Sequence, residues 1–282
     1  MLRILGRNVW DLFTPMQQMK AEAIVIREDE VRVWMVGHAT TLINFFGTTI
    51  LTDPVLKNAL PFPRRLVAPG YTAEALPTLD FIVVSHAHLD HCNVPTLRRL
   101  AAKTKTLVLP SHCSNIVKGI SFTEIKELNW GERLTQPGIE MTAYRAEHWG
   151  ERWPWEKEQS RGFNCYVFKK NGRNIFFGGD TGYGPFFKSI GGRHTIDIAL
   201  LPISAYKPDI FRRHHMNPIE AHQAFQDLKS AHCVPIHWGS FRLSLEPMEE
   251  PPQLFMQQAR QNNLLNKVHL LRNGQSFCLQ TI

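Results

Sequence analysis

Ser85-His86-Ala87-His88-Leu89-Asp90-His91 places four metal-capable side chains within six residues, directly behind the apolar run Phe81-Ile82-Val83-Val84. An extended segment points residues i and i+2 to one side, so His86 and His88 are able to share an ion and Asp90 and His91 to serve a second. Two divalent ions roughly 3.5–4 Å apart can bridge a hydroxide and clamp an oxyanion, as phosphoester and strained acyl hydrolysis require. The segment therefore puts a metal-hydrolase site at the end of a buried strand.

Further strand-like runs surround it at Val31–Val36, Thr41–Phe46, Thr48–Thr52, Lys105–Leu109, Ile139–Tyr144, Cys165–Lys169, Ile175–Phe177, Ile198–Leu201, Cys233–Ile236, Val268–Leu271 and Phe277–Leu279. Helices are expected at Pro95–Ala102, Pro185–Ile190, Ile219–Lys229 and Gln253–Asn262, with Asn217-Pro218 as cap and first-turn proline of the third. Hairpin-like strands early and strand-helix alternation later indicate an α/β protein with mixed sheets. Neither a repeat nor a low-complexity linker interrupts the chain, so residues 21–282 read as a single hydrolase domain behind an amphipathic lead-in over residues 1–20. In that lead-in Leu2, Leu5, Val9, Trp10, Leu12 and Phe13 make one apolar face beside Arg3 and Arg7, a pattern suited to peripheral membrane contact.

Polar residues gather where the later strands stop. Ile139–Tyr144 runs into Glu147-His148-Trp149, Ile175–Phe177 into Gly178-Gly179-Asp180, and the run ending at Ile236 into His237-Trp238-Gly239. Adding His148, Asp180 and His237 gives seven candidate ligands, enough for two sites of three protein ligands with one bridging carboxylate. The expected division is His86, His88 and His148 on one ion, Asp90, His91 and His237 on the other, and Asp180 between them. Imidazole with carboxylate suits zinc best, and the ligand types also admit iron or manganese. Asp53, at the end of Thr48–Thr52, is placed to accept an N–H from a ligating histidine.

Composition sets the remaining bounds. Across 282 residues, 43% hydrophobic and 20% charged residues are ordinary globular values. The net charge of +7 is diffuse and without a basic, aromatic-interleaved stripe, which favours a small anionic substrate over nucleic acid. Five scattered cysteines, none in a Cys-x-x-Cys pair, read as reduced thiols of a cytoplasmic protein. No stretch is apolar enough over about 18 residues to cross a membrane.

Gly37-His38-Ala39-Thr40, Leu51-Thr52-Asp53-Pro54, the His/Asp segment and Gly179-Asp180-Thr181-Gly182 together resemble a metallo-β-lactamase-fold hydrolase. Within that superfamily Ile236-His237-Trp238-Gly239-Ser240-Phe241, with Glu246 and Glu250-Pro251-Pro252, is similar to the branch of N-acyl-phosphatidylethanolamine-hydrolysing phospholipase D. So are Pro202-Ile203-Ser204-Ala205-Tyr206 with Pro208, and His215 ahead of Asn217-Pro218-Ile219-Glu220-Ala221. The resemblance spans about residues 30 to 255. It implies an αββα sandwich of two mixed β-sheets flanked by helices, with two zinc ions at one sheet edge and ligands at His86, His88, Asp90, His91, His148, Asp180 and His237. One departure is Asn217, where the family pattern leads us to expect an acidic residue.

The expected reaction is zinc-dependent phosphodiester hydrolysis of a phospholipase D type, acting on N-acyl phosphatidylethanolamine or a related glycerophospholipid. Asp90, Asp180 and His215 are its candidate catalytic residues; Tyr206, His215, Arg64 and Arg65 are candidates to hold the phosphate, leaving group or head group. The alternatives are a metal-dependent lactonase acting on a phosphorylated sugar lactone and, outside the enzymes, a metal-stabilised lipid-binding protein. A homo-oligomer is compatible with either.

Overall fold

The computed structural model of the protein describes residue 11 and residues 14–57 and 64–279. The apolar positions of the amphipathic lead-in and Pro61, Phe62 and Pro63 lie outside the described residues. Two mixed sheets carry the fold. One has the order β13-β1-β2-β3-β4-β5-β6 and the other β12-β11-β10-β9-β8-β7. The first contains β1 (Val31–Gly37), β2 (Thr40–Phe45), β3 (Thr48–Thr52), β4 (Leu79–Val83), β5 (Thr104–Pro110), β6 (Glu124–Leu128) and β13 (Ser276–Leu279). The second contains β7 (Arg133–Gln136), β8 (Ile139–Arg145), β9 (Asn164–Lys170), β10 (Arg173–Phe177), β11 (Ile198–Pro202) and β12 (His232–Ile236).

Period-2 alternation decides which side each residue faces. Val33, Met35, Ile43, Ile50, Phe81 and Val83 join Met141, Phe168, Ile175, Phe177, Leu200 and Val234 in the core between the sheets. Their neighbours Trp34, Leu42, Leu51, Ile82 and Leu107 face the opposite way and pack on Leu97 and Leu100 of α1 (Val94–Leu100). Behind the other sheet, Phe176, Ala199 and Leu201 pack against α2 (Phe186–Arg193), α3 (Pro218–Asp227) and α4 (Glu250–Gln261) through Phe187, Phe225 and Phe255. The result is the expected αββα sandwich.

Local signals explain several boundaries. Phe46 at φ 51 and Gly47 at φ 81 supply the two left-handed residues that a tight hairpin between β2 and β3 needs. Asn217 accepts from the backbone N–H groups of Ile219 and Glu220, while Glu220 accepts from the Asn217 N–H, a complete capping box. This explains the Asn217 departure: an amide oxygen caps the helix as well as a carboxylate does. Two strands, β6 and β7, escape sequence reading because Glu124-Ile125-Lys126-Glu127 and Arg133-Leu134-Thr135 are polar edge segments without an apolar run. Conversely, Val268–Leu271 is not a strand; only Val268 makes an isolated bridge, to Cys233, before a turn at Asn273-Gly274.

The pairing parity positions the site. β1 to β2 and β2 to β3 are antiparallel while β3 to β4 is parallel, so the C-terminal ends of β1, β3 and β4 share one edge. In the second sheet the same arithmetic brings together the C-terminal ends of β8, β10 and β12. Those two edges are tied by backbone bonds from Asn164 N–H to Ser85 C=O at 2.8 Å and from His237 N–H to His38 C=O at 2.9 Å.

Phe168 is fully buried between the sheets, and Phe168→Ala is expected to lower unfolding free energy by about 3–5 kcal/mol. Urea denaturation of the two proteins measures it; a loss under about 1 kcal/mol would mean that the inter-sheet core repacks freely.

Candidate metal centre

After β4, the chain leaves the sheet at Val84-Ser85 and turns, with the His91 and Cys92 N–H groups donating to the His88 carbonyl at 3.1 and 2.7 Å. Asn93 then caps α1 through its side chain to Thr96 N–H. The turn delivers His86, His88, Asp90 and His91 to the junction of the two sheets. His148 follows β8, Asp180 follows β10 and His237 follows β12. Gly179 precedes Asp180 at φ 56, and a Cβ there would come within 2.4 Å of Ser85 Cβ, so only glycine lets the two sheets approach this closely.

These side chains form two adjoining groups. His86 Nε2 and His148 Nε2 lie 2.8 and 3.3 Å from His88 Nδ1. Asp180 Oδ2 lies 3.1 Å from His91 Nε2 and 3.0 Å from His237 Nε2, and Asp90 Oδ2 lies 3.7 Å from the same two nitrogens. The ligand atoms of His86, His88 and His148 fall within 4.8 Å of one another, as do those of His38, Asp90, His91 and His237. His148, Asp180 and His215 make a further such set, so Asp180 spans both groups.

The outer nitrogens are fixed from behind. His148 Nδ1–H donates to the His214 carbonyl at 2.9 Å, and His91 Nδ1–H donates to Asp53 Oδ2 at 2.6 Å. Ser85 Oγ–H donates to Asp53 Oδ2 at 2.6 Å, so its oxygen is left to accept the His86 Nδ1–H at 2.9 Å. Each bond leaves the opposite Nε2 as a lone pair aimed inward. His91 Nε2, His237 Nε2 and Asp180 Oδ1 are buried without hydrogen-bond partners. Buried, unpartnered imidazole and carboxylate atoms converging at about 3 Å suit a cation, so the residues fit a metal ion.

The electrostatics divide the same way. Burial pushes His86 and His148 well below the ordinary histidine range and His88 down to about 4, with neighbouring imidazoles adding to the effect on His86 and His148. Burial opposes charge on His91 and His237 too, but Asp180 and its companion carboxylates outweigh it and raise both. Asp90 and Asp180 are held well below the carboxylate range despite burial, chiefly by His91 and His237. One half is thus a neutral imidazole cluster, the other a carboxylate-imidazole cluster.

Sequence reading missed His38 as a site residue. It sits in the β1–β2 turn at φ 64 after Gly37 at φ 140, fully buried, with Nε2 3.1 Å from Asp90 Oδ2. Its signal was a histidine in the quoted Gly37-His38-Ala39-Thr40 turn. His215 does reach the site: its Nδ1 is 3.7 Å from Asp180 Oδ2, and burial holds it down to about 3.

Three expected substrate contacts have other partners. Arg65 is fully buried, donates to the Val55 carbonyl at 2.5 Å and lies 4.5 Å over Phe241, whose edge meets His38 at 5.0 Å. It therefore stands behind the metal centre rather than on a surface facing a head group. Tyr206 is buried, and its hydroxyl donates to Glu250 Oε1 at 2.5 Å, fastening the loop to α4. Arg64 donates to the Asp11 carbonyl at 3.0 Å. A cavity of about 600 Å³ beside His88 is lined by His88, Trp149, Arg152, Trp153 and His214.

Comparison with known proteins agrees with this geometry. Residues 48–238 match the family described as the beta-lactamase superfamily domain. An uncharacterised protein of Mycobacterium tuberculosis is 32% identical over 249 residues, 83% of this chain, and the chain spans only 65% of that relative's length. The N-acyl-phosphatidylethanolamine-hydrolyzing phospholipase D 1 of Caenorhabditis elegans is 30% identical over 272 residues, 88% of this chain and 76% of its own. Igni18, a metallo hydrolase from the archaeon Ignicoccus hospitalis, superposes with a TM-score of 0.69 at 21% identity, over 90% of this chain and 100% of its own.

Removing the supports behind the ligands should weaken metal binding without unfolding the chain. Asp53→Asn and His38→Ala are each expected to lower affinity about 10–100-fold, with His38→Gln retaining more because it keeps a donor. Competition against a chromophoric chelator reads this directly, and wild-type affinity in Asp53→Asn would remove the orienting role.

Proposed function

This chain belongs to the β-lactamase superfamily of metal-dependent hydrolases, and from that premise we propose that it hydrolyses a phosphodiester of the glycerophospholipid class in a phospholipase D manner. The observation that carries the reading is the pair of adjoining ligand groups spanned by Asp180, with His215 beside Asp180 and a cavity over His88. Its nematode relative, an N-acyl-phosphatidylethanolamine-hydrolyzing phospholipase D, supports that lipid as the substrate to try first.

We assign His86, His88 and His148 to one ion and Asp90, His91 and His237 to the other, with Asp180 between them. Zinc is the metal best matched to five imidazoles and two carboxylates. When bound, the pair would supply a nucleophile at neutral pH and neutralise charge that builds on the phosphoryl oxygens.

The remaining work falls to the protein's own groups. His215, kept neutral by burial, can donate one ring N–H to a phosphoryl oxygen and does not repel the cations beside it. Trp149 stacks on His148 with centroids 4.4 Å apart and contacts His88 at 5.0 Å, walling one side of the centre from water. Asp90 and Asp180, held ionised, preserve the negative charge that two dications require.

Product analysis tests the proposal. Zinc-loaded protein incubated with N-acyl phosphatidylethanolamine should release an N-acylethanolamine and phosphatidic acid, and Asp90→Asn or His91→Ala should lose at least about 10³-fold in rate. Cleavage of bis(p-nitrophenyl) phosphate should fall in parallel on chelation and return on adding zinc. Absence of turnover on both substrates in fully loaded protein would reject the phosphodiester reading.

A further inference from the structure

Among the described residues, the two most exposed large apolar side chains are Trp155 at 77% and Ile210 at 65%. Both stand on segments that flank the mouth of the metal centre. Residues 149–161 follow His148; Trp149 and Trp153 line the cavity over His88, and Trp155 stacks on Trp153 with centroids 5.3 Å apart and planes at 4°. On the other side, the 3₁₀ turn Asp209–Arg213 leads into His214, whose ring meets Trp149 at 4.6 Å. That turn is pressed against the Asp180 loop, since a Cβ on Gly182 would come within 2.3 Å of the Arg213 carbonyl oxygen.

The charges of the tryptophan segment cancel. Glu151, Glu156 and Glu158 oppose Arg152, Lys157 and Arg161, three against three. Several are also turned inward: Arg152 donates to the Ala87 and Cys92 carbonyls at 2.7 and 2.9 Å, and Arg161 pairs with Glu156 at 2.7 Å. Trp155 is therefore the large apolar group that the segment presents outward, beside the oppositely charged Lys157 and Glu158. An indole, apolar in body with one N–H, settles at a boundary between apolar and polar media, and an apolar cluster beside a site mouth marks an interaction surface.

We propose that Trp155, stacked on Trp153 and seconded by Ile210, docks this protein onto a zwitterionic phospholipid surface and so brings the mouth of the metal centre against the head groups. The inference rests on the phospholipid reading above. Continuity of the surface with the cavity selects the substrate's own medium as the occupant. Cancellation of charge on both flanks, where Asp209 and Glu220 likewise balance Arg212 and Arg213 and Arg212 pairs with Glu220 at 2.6 Å, selects a zwitterionic rather than an anionic one.

Flotation of the full zinc-loaded chain with phosphatidylcholine vesicles tests this, with wild type and Trp155→Ser compared at about 0.1 and 0.5 M salt. Wild type should float at both salt concentrations and Trp155→Ser about tenfold less. Metal content and bis(p-nitrophenyl) phosphate turnover should be equal in the two proteins, because Trp155 does not line the cavity and stacks on Trp153 rather than on a ligand. Equal flotation of both proteins, no flotation of wild type, or loss of flotation at the higher salt would each overturn the docking surface. Trp155-dependent flotation of a protein without diester turnover would uphold the surface and reject the phosphodiester reading instead.

Discussion

The Asp53 carboxylate is the point from which the site is built. It is fully buried at the end of β3 and accepts three hydrogen bonds of 2.6 Å, from Ser85 N–H, Ser85 Oγ–H and His91 Nδ1–H. Through Ser85 it also sets the tautomer of His86. One side chain thereby fixes the turn after β4 and aims one ligand of each group. Burying an anion is costly unless donors surround it, and here the donors are the groups that need orienting.

Around that anchor the protein concentrates imidazoles and carboxylates in a small buried volume. His86, His88 and His148 crowd their lone pairs together, and Asp90 and Asp180 place two carboxylates against His91 and His237. The crowding of imidazoles in the first group and of two carboxylates in the second is unfavourable and persists because the strand ends are locked by sheet pairing. Gly179 shows how tight that locking is, since no side chain fits between its Cα and Ser85. The imidazole-rich half and the carboxylate-rich half offer different charge to a cation, and Asp180 is the group that both halves share.

Legibility in the sequence followed the strength of the local signal. Val31–Gly37, Thr48–Thr52 and Ile198–Pro202 alternate or run apolar and were readable as strands; β6 and β7, polar and at sheet edges, were not. His86 through His91 could be grouped by spacing alone, whereas His38 comes from a turn about fifty residues earlier and carries no ligand spacing. By sequence Arg65 is a candidate for a head group and Tyr206 for the phosphate or leaving group; burial against Phe241 and a hydrogen bond to Glu250 give them structural work. Asn217 looked like a departure from a pattern and proves to complete a helix cap.

What the chain determined by itself is the content of each strand end: alternating apolar residues that must be buried, followed by His, Asp and Gly that cannot remain in a strand core. Local periodicity and residue chemistry suffice for that. Which ends meet was decided only by the tertiary structure, through the parity of antiparallel and parallel neighbours that brings β1, β3, β4, β8, β10 and β12 to one edge. Register and sheet packing are long-range properties, set by hydrophobic burial across the whole sandwich. They alone bring His38 to Asp90, Asp180 between two histidines, and a pair of stacked tryptophans to the rim.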